Sequence, residues 1–206
     1  MALRYSYTLI APIYDAFVAP FTATARRQGL ALLPDGPHAE VLLVGVGSGL
    51  DLPLLPRGPR YTGLDLTPAM LARARRKATA LKLDIQLDVG DARRLPYGDA
   101  TFDVVVLHLI LAVTPHPDRL LIGAARVLRR GGRVLILDKF LRLGQKAPLR
   151  RLISPLLGLL ATRTNVVFET VLAQAPDLEV LSGRGEGVQF AAEDVAAVDE
   201  QVAVHE

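Results

Sequence analysis

Residues 41–49 constrain this chain more than any other stretch: Val41, Leu42, Leu43 and Val44 run directly into Gly45-Val46-Gly47-Ser48-Gly49. Four apolar residues are too few for a helix, and glycines spaced two apart mark a tight turn, so the segment predicts a buried strand feeding a loop. The pattern continues downstream. Strands are expected at 61–64, at 85–89 through the alternating Ile85, Leu87 and Val89, at 102–107, and at 133–137. Thr67 is placed to start a helix that takes Pro68 in its first turn and carries Arg73, Arg75, Arg76 and Lys77 on one face. A second helix is expected from about Asp118 to Leu128, closed by Gly131-Gly132. Strands alternating with helices over residues 40–138 imply an α/β fold: a mostly parallel sheet with helices on both faces and right-handed crossovers.

With 206 residues, half of them hydrophobic, the chain can bury a core of its own and is expected to be one domain. Within it, residues 1–35 form a helical cap and 36–140 the central unit. Residues 141–190 supply helices and two short terminal strands within 178–190, and 191–206 is an acidic tail expected to fray. The absence of cysteine excludes a disulfide framework, a thiolate metal site and a cysteine nucleophile, and a cytoplasmic setting is the default. The longest apolar runs, near 104–113 and 152–161, are about half the roughly 20 residues that a membrane-spanning helix needs. Pro12 and Asp15 break the apolar stretch at the start, so no signal-peptide core is expected. A net charge of +3 permits an anionic surface as partner, while 5% aromatics without Trp argue against a base-stacking platform for nucleic acid.

Ligands of open parallel sheets bind beyond the carboxyl ends of the strands, near the point where strand order reverses. After the first strand, Gly45, Gly47 and Gly49 remove side chains where a ligand must approach, and their amides are expected to face it. After the second comes Asp65, twenty residues past Gly45, the spacing of a carboxylate that accepts from a ribose diol. After the third comes Asp91, placed to receive the exocyclic amine of an adenine. Together these read as an adenosine cradle. A plain strand-to-helix turn would explain the glycines alone, and a helix-terminal charge would explain Asp65 alone; the set of three is what carries the reading. Leu50 stands where a dinucleotide fingerprint requires glycine or alanine, and the P-loop, HExxH, calcium-loop and nucleophile-elbow patterns are absent. No metal site is expected.

Over residues 5–140 the chain resembles the class I S-adenosylmethionine-dependent methyltransferases. VLLVGVGSG (41–49) is similar to that family's first motif, GLDLTPAML (63–71) to its acidic second-strand motif, and GDARRLPYGDATFDVVV (90–106) to its adenine region and fourth strand. ARVLRRGGRVLILD (125–138) is similar to the segment through strand five. LHLILAVTPHPDRLL (107–121) and the APIYD segment look most like bacterial phospholipid N-methyltransferases and quinone-pathway C-methyltransferases. The resemblance implies a Rossmann-like, seven-stranded sheet and a methyl transfer to a small-molecule or lipid-like acceptor. It also implies S-adenosyl-L-methionine held by Val44, Gly45, Gly47, Gly49, Asp65, Leu66, Asp91, Ala92 and His108. Two positions depart from the family pattern. Leu43 replaces the acidic residue two places before the first glycine, which helps hold the methionine amino group, and Arg130 replaces a proline before the paired glycines.

Several roles stay open at this level. His108 is a base, a cofactor contact or a packed ring, and Tyr14 reaches the methionine end or the acceptor, or is an interfacial aromatic. These two are the candidates for proton removal from the acceptor. His116 lies between Pro115 and Pro117 and reads as loop. The basic, then apolar, stretch from Lys146 to Leu160 is either a helical lid or a peripheral contact with an anionic membrane. A non-catalytic S-adenosylmethionine-binding regulator is the reading that Leu43 invites. An RNA methyltransferase is disfavoured because Leu107-His108-Leu109-Ile110 replaces the Asp/Asn-Pro-Pro-aromatic motif of amino-directed enzymes.

Overall fold

The computed structural model of the chain describes residues 22–137 and the strands at 178–182 and 200–204. Tyr14 and the stretch from Lys146 to Leu160 lie outside the described residues. The chain enters as a helix over residues 22–30 (α1) and continues into β1 (Glu40–Val44), a 3-10 turn (Leu52–Leu54) and β2 (Arg60–Asp65). Next come α2 (Pro68–Leu81), β3 (Ile85–Val89), β4 (Phe102–His108), α3 (Pro117–Val127), β5 (Leu128–Leu137), β6 (Leu178–Ser182) and β7 (Glu200–Val204). The strands form one sheet in the order β3-β2-β1-β4-β5-β7-β6, parallel from β3 to β5, with β7 antiparallel to both β5 and β6. The order reverses between β1 and β4, so a crevice opens beyond their carboxyl ends.

Alternation along the central strands builds two cores. Leu42 and Val44 of β1 and Val105 and Leu107 of β4 pack with Leu120, Leu121, Ala124 and Val127 of α3. Val41 and Leu43, with Val104 and Val106, pack on the opposite face with Leu30 and with Leu71, Ala74 and Ala78 of α2. Each fully buried leucine contributes about 1.5–3 kcal/mol. Both faces of β1 and β4 are therefore covered, which is why these strands read as unbroken apolar runs. The alanines at the α2 contact let the helix settle close to the glycine loop: a Cβ on Gly49 would stand 3.3 Å from the Ala74 Cα.

Two expectations about local structure are corrected. Gly131-Gly132 do not close a helix; α3 ends at Val127 and β5 begins at the next residue. Phe102 pairs with Leu128 and Val104 with Arg133, so five steps along β5 span two along β4, and the glycines lie in that irregularity. A Cβ on Gly132 would come within 2.8 Å of the Arg129 carbonyl, while Arg129 donates to Asp103 at 2.7 Å across the strands. The glycines thus answer to a bulge rather than to a helix terminus. The second correction concerns residues 200–204 of the acidic tail; the rest of 191–206 lies outside the described residues. Residues 200–204 form β7, with Val202 opposite Val134 and Gln201 opposite Leu135. The open edge of β5 offers a row of backbone partners, and pairing prevails there over the charge pattern by which the tail was expected to fray.

Candidate active site

A cavity of about 360 Å³ opens at the carboxyl ends of β1, β2, β3 and β4. Gly45, Gly47 and Gly49 turn the chain there with φ of 72°, 55° and 78°, in the left-handed region that favours glycine. A Cβ on Gly45 would collide with the Ile110 side chain. The loop amides behave differently from expectation. The Gly45 and Val46 N–H groups donate to the Leu64 carbonyl, the Gly49 N–H donates to the Val46 carbonyl, and the Gly47 N–H donates to Asp65 Oδ2 at 2.9 Å. The glycines bring the backbone close to the cavity, but their donors are spent on holding the loop's own shape.

Asp65 ends β2 and ties the loop to the next helix. Its Oδ2 accepts from Gly47 and its Oδ1 from the Thr67 N–H at 2.8 Å. Thr67 occupies the N-cap position of α2 without a side-chain cap bond. Burial raises the Asp65 carboxyl above its ordinary value, with the Thr67 and Gly47 hydrogen bonds pulling the other way. A carboxylate offers about four lone-pair sites, so Asp65, engaged by the Gly47 amide and by the Thr67 amide and side chain, retains capacity for a ligand hydroxyl. Leu66, the next residue, is 46% exposed and lines the cavity with Met70 and Ile110. An exposed leucine on a concave wall suits the flat face of a base.

Asp91 and Ala92 lie on the same wall beyond β3. The Asp91 carboxylate is engaged by Arg93, whose Nε is shared between Oδ1 at 3.0 Å and Oδ2 at 3.1 Å and whose Nη2 donates to Oδ2 at 2.6 Å; the Arg93 backbone N–H also donates, to Oδ1 at 2.9 Å. The Arg93 side chain holds the Asp91 carboxyl below its ordinary value. Val44 is buried in the core beneath the loop and is not part of the cavity wall as Gly45 and Val46 are.

Where α1, the loop after Gly49 and the end of β4 meet the cavity lies a buried polar network that motif reading missed. Asp51, 6% exposed, accepts from Arg26 Nη1 of α1 at 2.6 Å. The His108 ring, at the end of β4, places Nδ1 3.1 Å from each Asp51 oxygen. Arg26 Nε donates to the Thr22 hydroxyl at 3.0 Å. Burial alone would raise the Asp51 carboxyl; the His108 ring and the Arg26 guanidinium outweigh it and hold the group down to about 2. His108 Nε2 is fully buried and has no hydrogen-bond partner among the described residues, and a Cβ on Gly29 would stand 3.5 Å from it. Neither ring nitrogen is left open to the cavity. Leu109, which follows, has φ of 56° and donates its N–H to the Leu137 carbonyl at 2.6 Å, a strained left-handed residue on the cavity wall. The sequence signals for this end are an Arg26-Arg27 pair in a helix and a lone acid after Leu50, neither of which belongs to a spaced motif.

Three carboxylates, two guanidiniums and an exposed apolar wall around one crevice fit a ligand with a ribose, a base and a charged tail. Comparison with known proteins agrees with that geometry. Residues 42–136 match the family model described as a methyltransferase domain. The chain is 37% identical over 172 residues to phosphatidylethanolamine N-methyltransferase of Cereibacter sphaeroides, covering 82% of this chain and 84% of that one. It is 34% identical over 144 residues to demethylmenaquinone methyltransferase of Deinococcus radiodurans, covering 66% and 60%. Among solved structures, phosphoethanolamine N-methyltransferase 2 of Haemonchus contortus, in complex with S-adenosyl-L-methionine, shares the fold. Its TM-score is 0.61 at 24% identity, covering 75% of this chain and 38% of that one.

The chain belongs to the class I S-adenosylmethionine-dependent methyltransferases. It is a methyltransferase that takes S-adenosyl-L-methionine as its methyl donor.

Proposed function

We propose that this enzyme methylates the primary amine of a phospholipid headgroup of the phosphatidylethanolamine type. The observation that carries the reading is the extent of the likeness to the Cereibacter sphaeroides enzyme, 172 residues against the 95 of residues 42–136 matched by the family model. The likeness therefore runs past the cofactor-binding core into the flanking regions, where acceptor determinants belong. Whichever acceptor binds, a proton must leave: the headgroup ammonium must lose one to expose the nitrogen lone pair, and a carbon acceptor must lose one as the new C–C bond forms. Among the described residues, His108 has Nδ1 against Asp51 and Nε2 buried, so the amine reading rests on the extent of the likeness and not on a base.

When bound, S-adenosylmethionine supplies a methyl group on a positively charged sulfur, an already activated donor. Asp65 would hold the ribose, Leu66, Asp91 and Ala92 would line the adenine's side of the site, and Gly45, Gly47 and Gly49 would let the backbone approach the ligand closely. Val44 supports the loop from below. The chain's remaining task is to align the acceptor nitrogen and exclude water, an effect worth up to about 7–11 kcal/mol. No helix among the described residues is long and apolar enough to cross a membrane. The stretch from Lys146 to Leu160 would then bring the enzyme to an anionic lipid surface from the cytoplasmic side, its basic residues contributing about 1 kcal/mol each.

The test is transfer of a labelled methyl group from S-adenosylmethionine to vesicles. Label appearing in N-methylated phosphatidylethanolamine, and not in demethylmenaquinone offered in the same vesicles, is the expected result. Label in the quinone alone overturns the proposal.

A further inference from the structure

The family places an acidic residue where this chain has Leu43, and the structure shows that Leu43 cannot take over any polar task. It is 1% exposed, sits opposite Gly63 in β2 and Val106 in β4, and packs in the α2-side core with Val41 and Leu71. The amino-acid end of a cofactor lying along this crevice must find its partners elsewhere. Eight residues further on, Asp51 forms an ion pair with Arg26, side chains 8% exposed, and both line the cavity with Gly47 and Ser48.

Burying a unit of each charge is costly, and apolar residues of similar volume commonly serve stability as well or better. A buried pair set in the wall of a ligand cavity is therefore better explained by what the ligand brings. The α-carbon of an amino acid carries an ammonium and a carboxylate side by side, the mirror image of a carboxylate and a guanidinium side by side. Asp51 spends Oδ1 on Arg26 and shares both oxygens with His108 Nδ1, which leaves acceptor capacity on Oδ2. Among the described residues, Arg26 gives Nε to Thr22 and Nη1 to Asp51, and the fork that could grip a carboxylate keeps its Nη2 donors.

We propose that Arg26 and Asp51 form a zwitterion clamp for the amino-acid half of the cofactor: Asp51 receives the α-ammonium, Arg26 receives the α-carboxylate, and together they replace the acidic residue missing at position 43. His108 is a positioning residue, its ring wedged between Asp51 and Gly29 so that the carboxylate keeps one orientation. Asp51 is fully ionised at neutral pH, being held down to about 2, as a partner for an ammonium must be. This inference rests on the methyltransferase reading, and it assigns its charged tail to two side chains from α1 and the loop after Gly49.

Three ligands separate the parts in calorimetric titration: S-adenosylhomocysteine, its decarboxylated analogue, and 5′-methylthioadenosine, which lacks the amino-acid half. The wild type is expected to bind S-adenosylhomocysteine at least about 100-fold more tightly than 5′-methylthioadenosine, the factor that two charged contacts supply. Arg26→Met should weaken S-adenosylhomocysteine about 30-fold or more, with the decarboxylated analogue and 5′-methylthioadenosine changed less than about threefold. Asp51→Asn, a change of one atom that is expected to fold, should weaken both amine-bearing ligands and spare 5′-methylthioadenosine. Where Arg26→Met does not fold, the Asp51→Asn and wild-type ratios decide alone. Equal affinity of the wild type for S-adenosylhomocysteine and 5′-methylthioadenosine overturns the clamp, as does a variant that loses all three ligands in parallel. A folded wild type that binds none of them overturns the methyltransferase reading itself.

Discussion

The two ends of the cavity are built by different means. At the end beyond β2, Asp65 is fixed by backbone amides two and eighteen residues away, Thr67 and Gly47. At the far end, Asp51 is fixed by side chains 25 and 57 residues away, Arg26 on α1 and His108 on β4. One end is a local motif that would survive on almost any sheet carrying β1, β2 and their loops. The other exists only when α1 docks across the sheet. The contrast teaches that one carboxylate of a cavity can be positioned by short-range chain geometry and another only by tertiary packing.

The first way to break the comparison is at the loop itself. Gly45→Ala forces a side chain into the left-handed region and against Ile110, and should cost about 2–4 kcal/mol in urea unfolding. An unchanged midpoint would show that Ile110 and the loop yield freely, contrary to a rigid glycine loop.

A smaller effect is expected from pH at the far end. The Asp51 carboxyl stands at about 2 in the folded chain against 3.8 ordinarily, so its stabilisation is complete above about pH 4 and is lost as pH falls through 2. The size is on the order of 2 kcal/mol. Acid unfolding curves of the wild type and Asp51→Asn should therefore converge as pH falls from 4 to 2, and parallel curves would remove Asp51 from the account of acid stability.

The smallest effect is expected at Asp91. Its pair with Arg93 is about one-third exposed on both sides, so Arg93→Ala should shift stability by no more than about 0.5 kcal/mol. Releasing the carboxylate should tighten S-adenosylhomocysteine by a few-fold at most, and a large loss of affinity would instead make Arg93 part of the adenine site.

What the sequence made legible follows the same division. The strands β1, β2 and β4 and the positions of Gly45, Asp65 and Asp91 were readable because apolar runs, turn glycines and fixed spacing are local signals. The Gly131-Gly132 pair was misread because the same dipeptide serves a helix end or a bulge, and only the register against β4 decides. β7 was hidden by its acidic neighbours, since the availability of the β5 edge is not written in residues 200–204. Arg26 and Asp51 carried no motif: an arginine in an amphipathic helix and an aspartate after a glycine loop are ordinary surface residues until the fold buries them together.

The central claim is that S-adenosylmethionine occupies this crevice with Asp65 as its anchor. Calorimetric titration of the wild type and Asp65→Ala with S-adenosylhomocysteine tests it most directly, because each charged hydrogen bond lost is worth about 1.5–3 kcal/mol. Saturable micromolar binding by the wild type, weakened about 100-fold or more in a variant that remains folded, is the predicted result. Equal binding by the variant would contradict the assignment of Asp65, and no binding by the folded wild type would contradict the site as a whole.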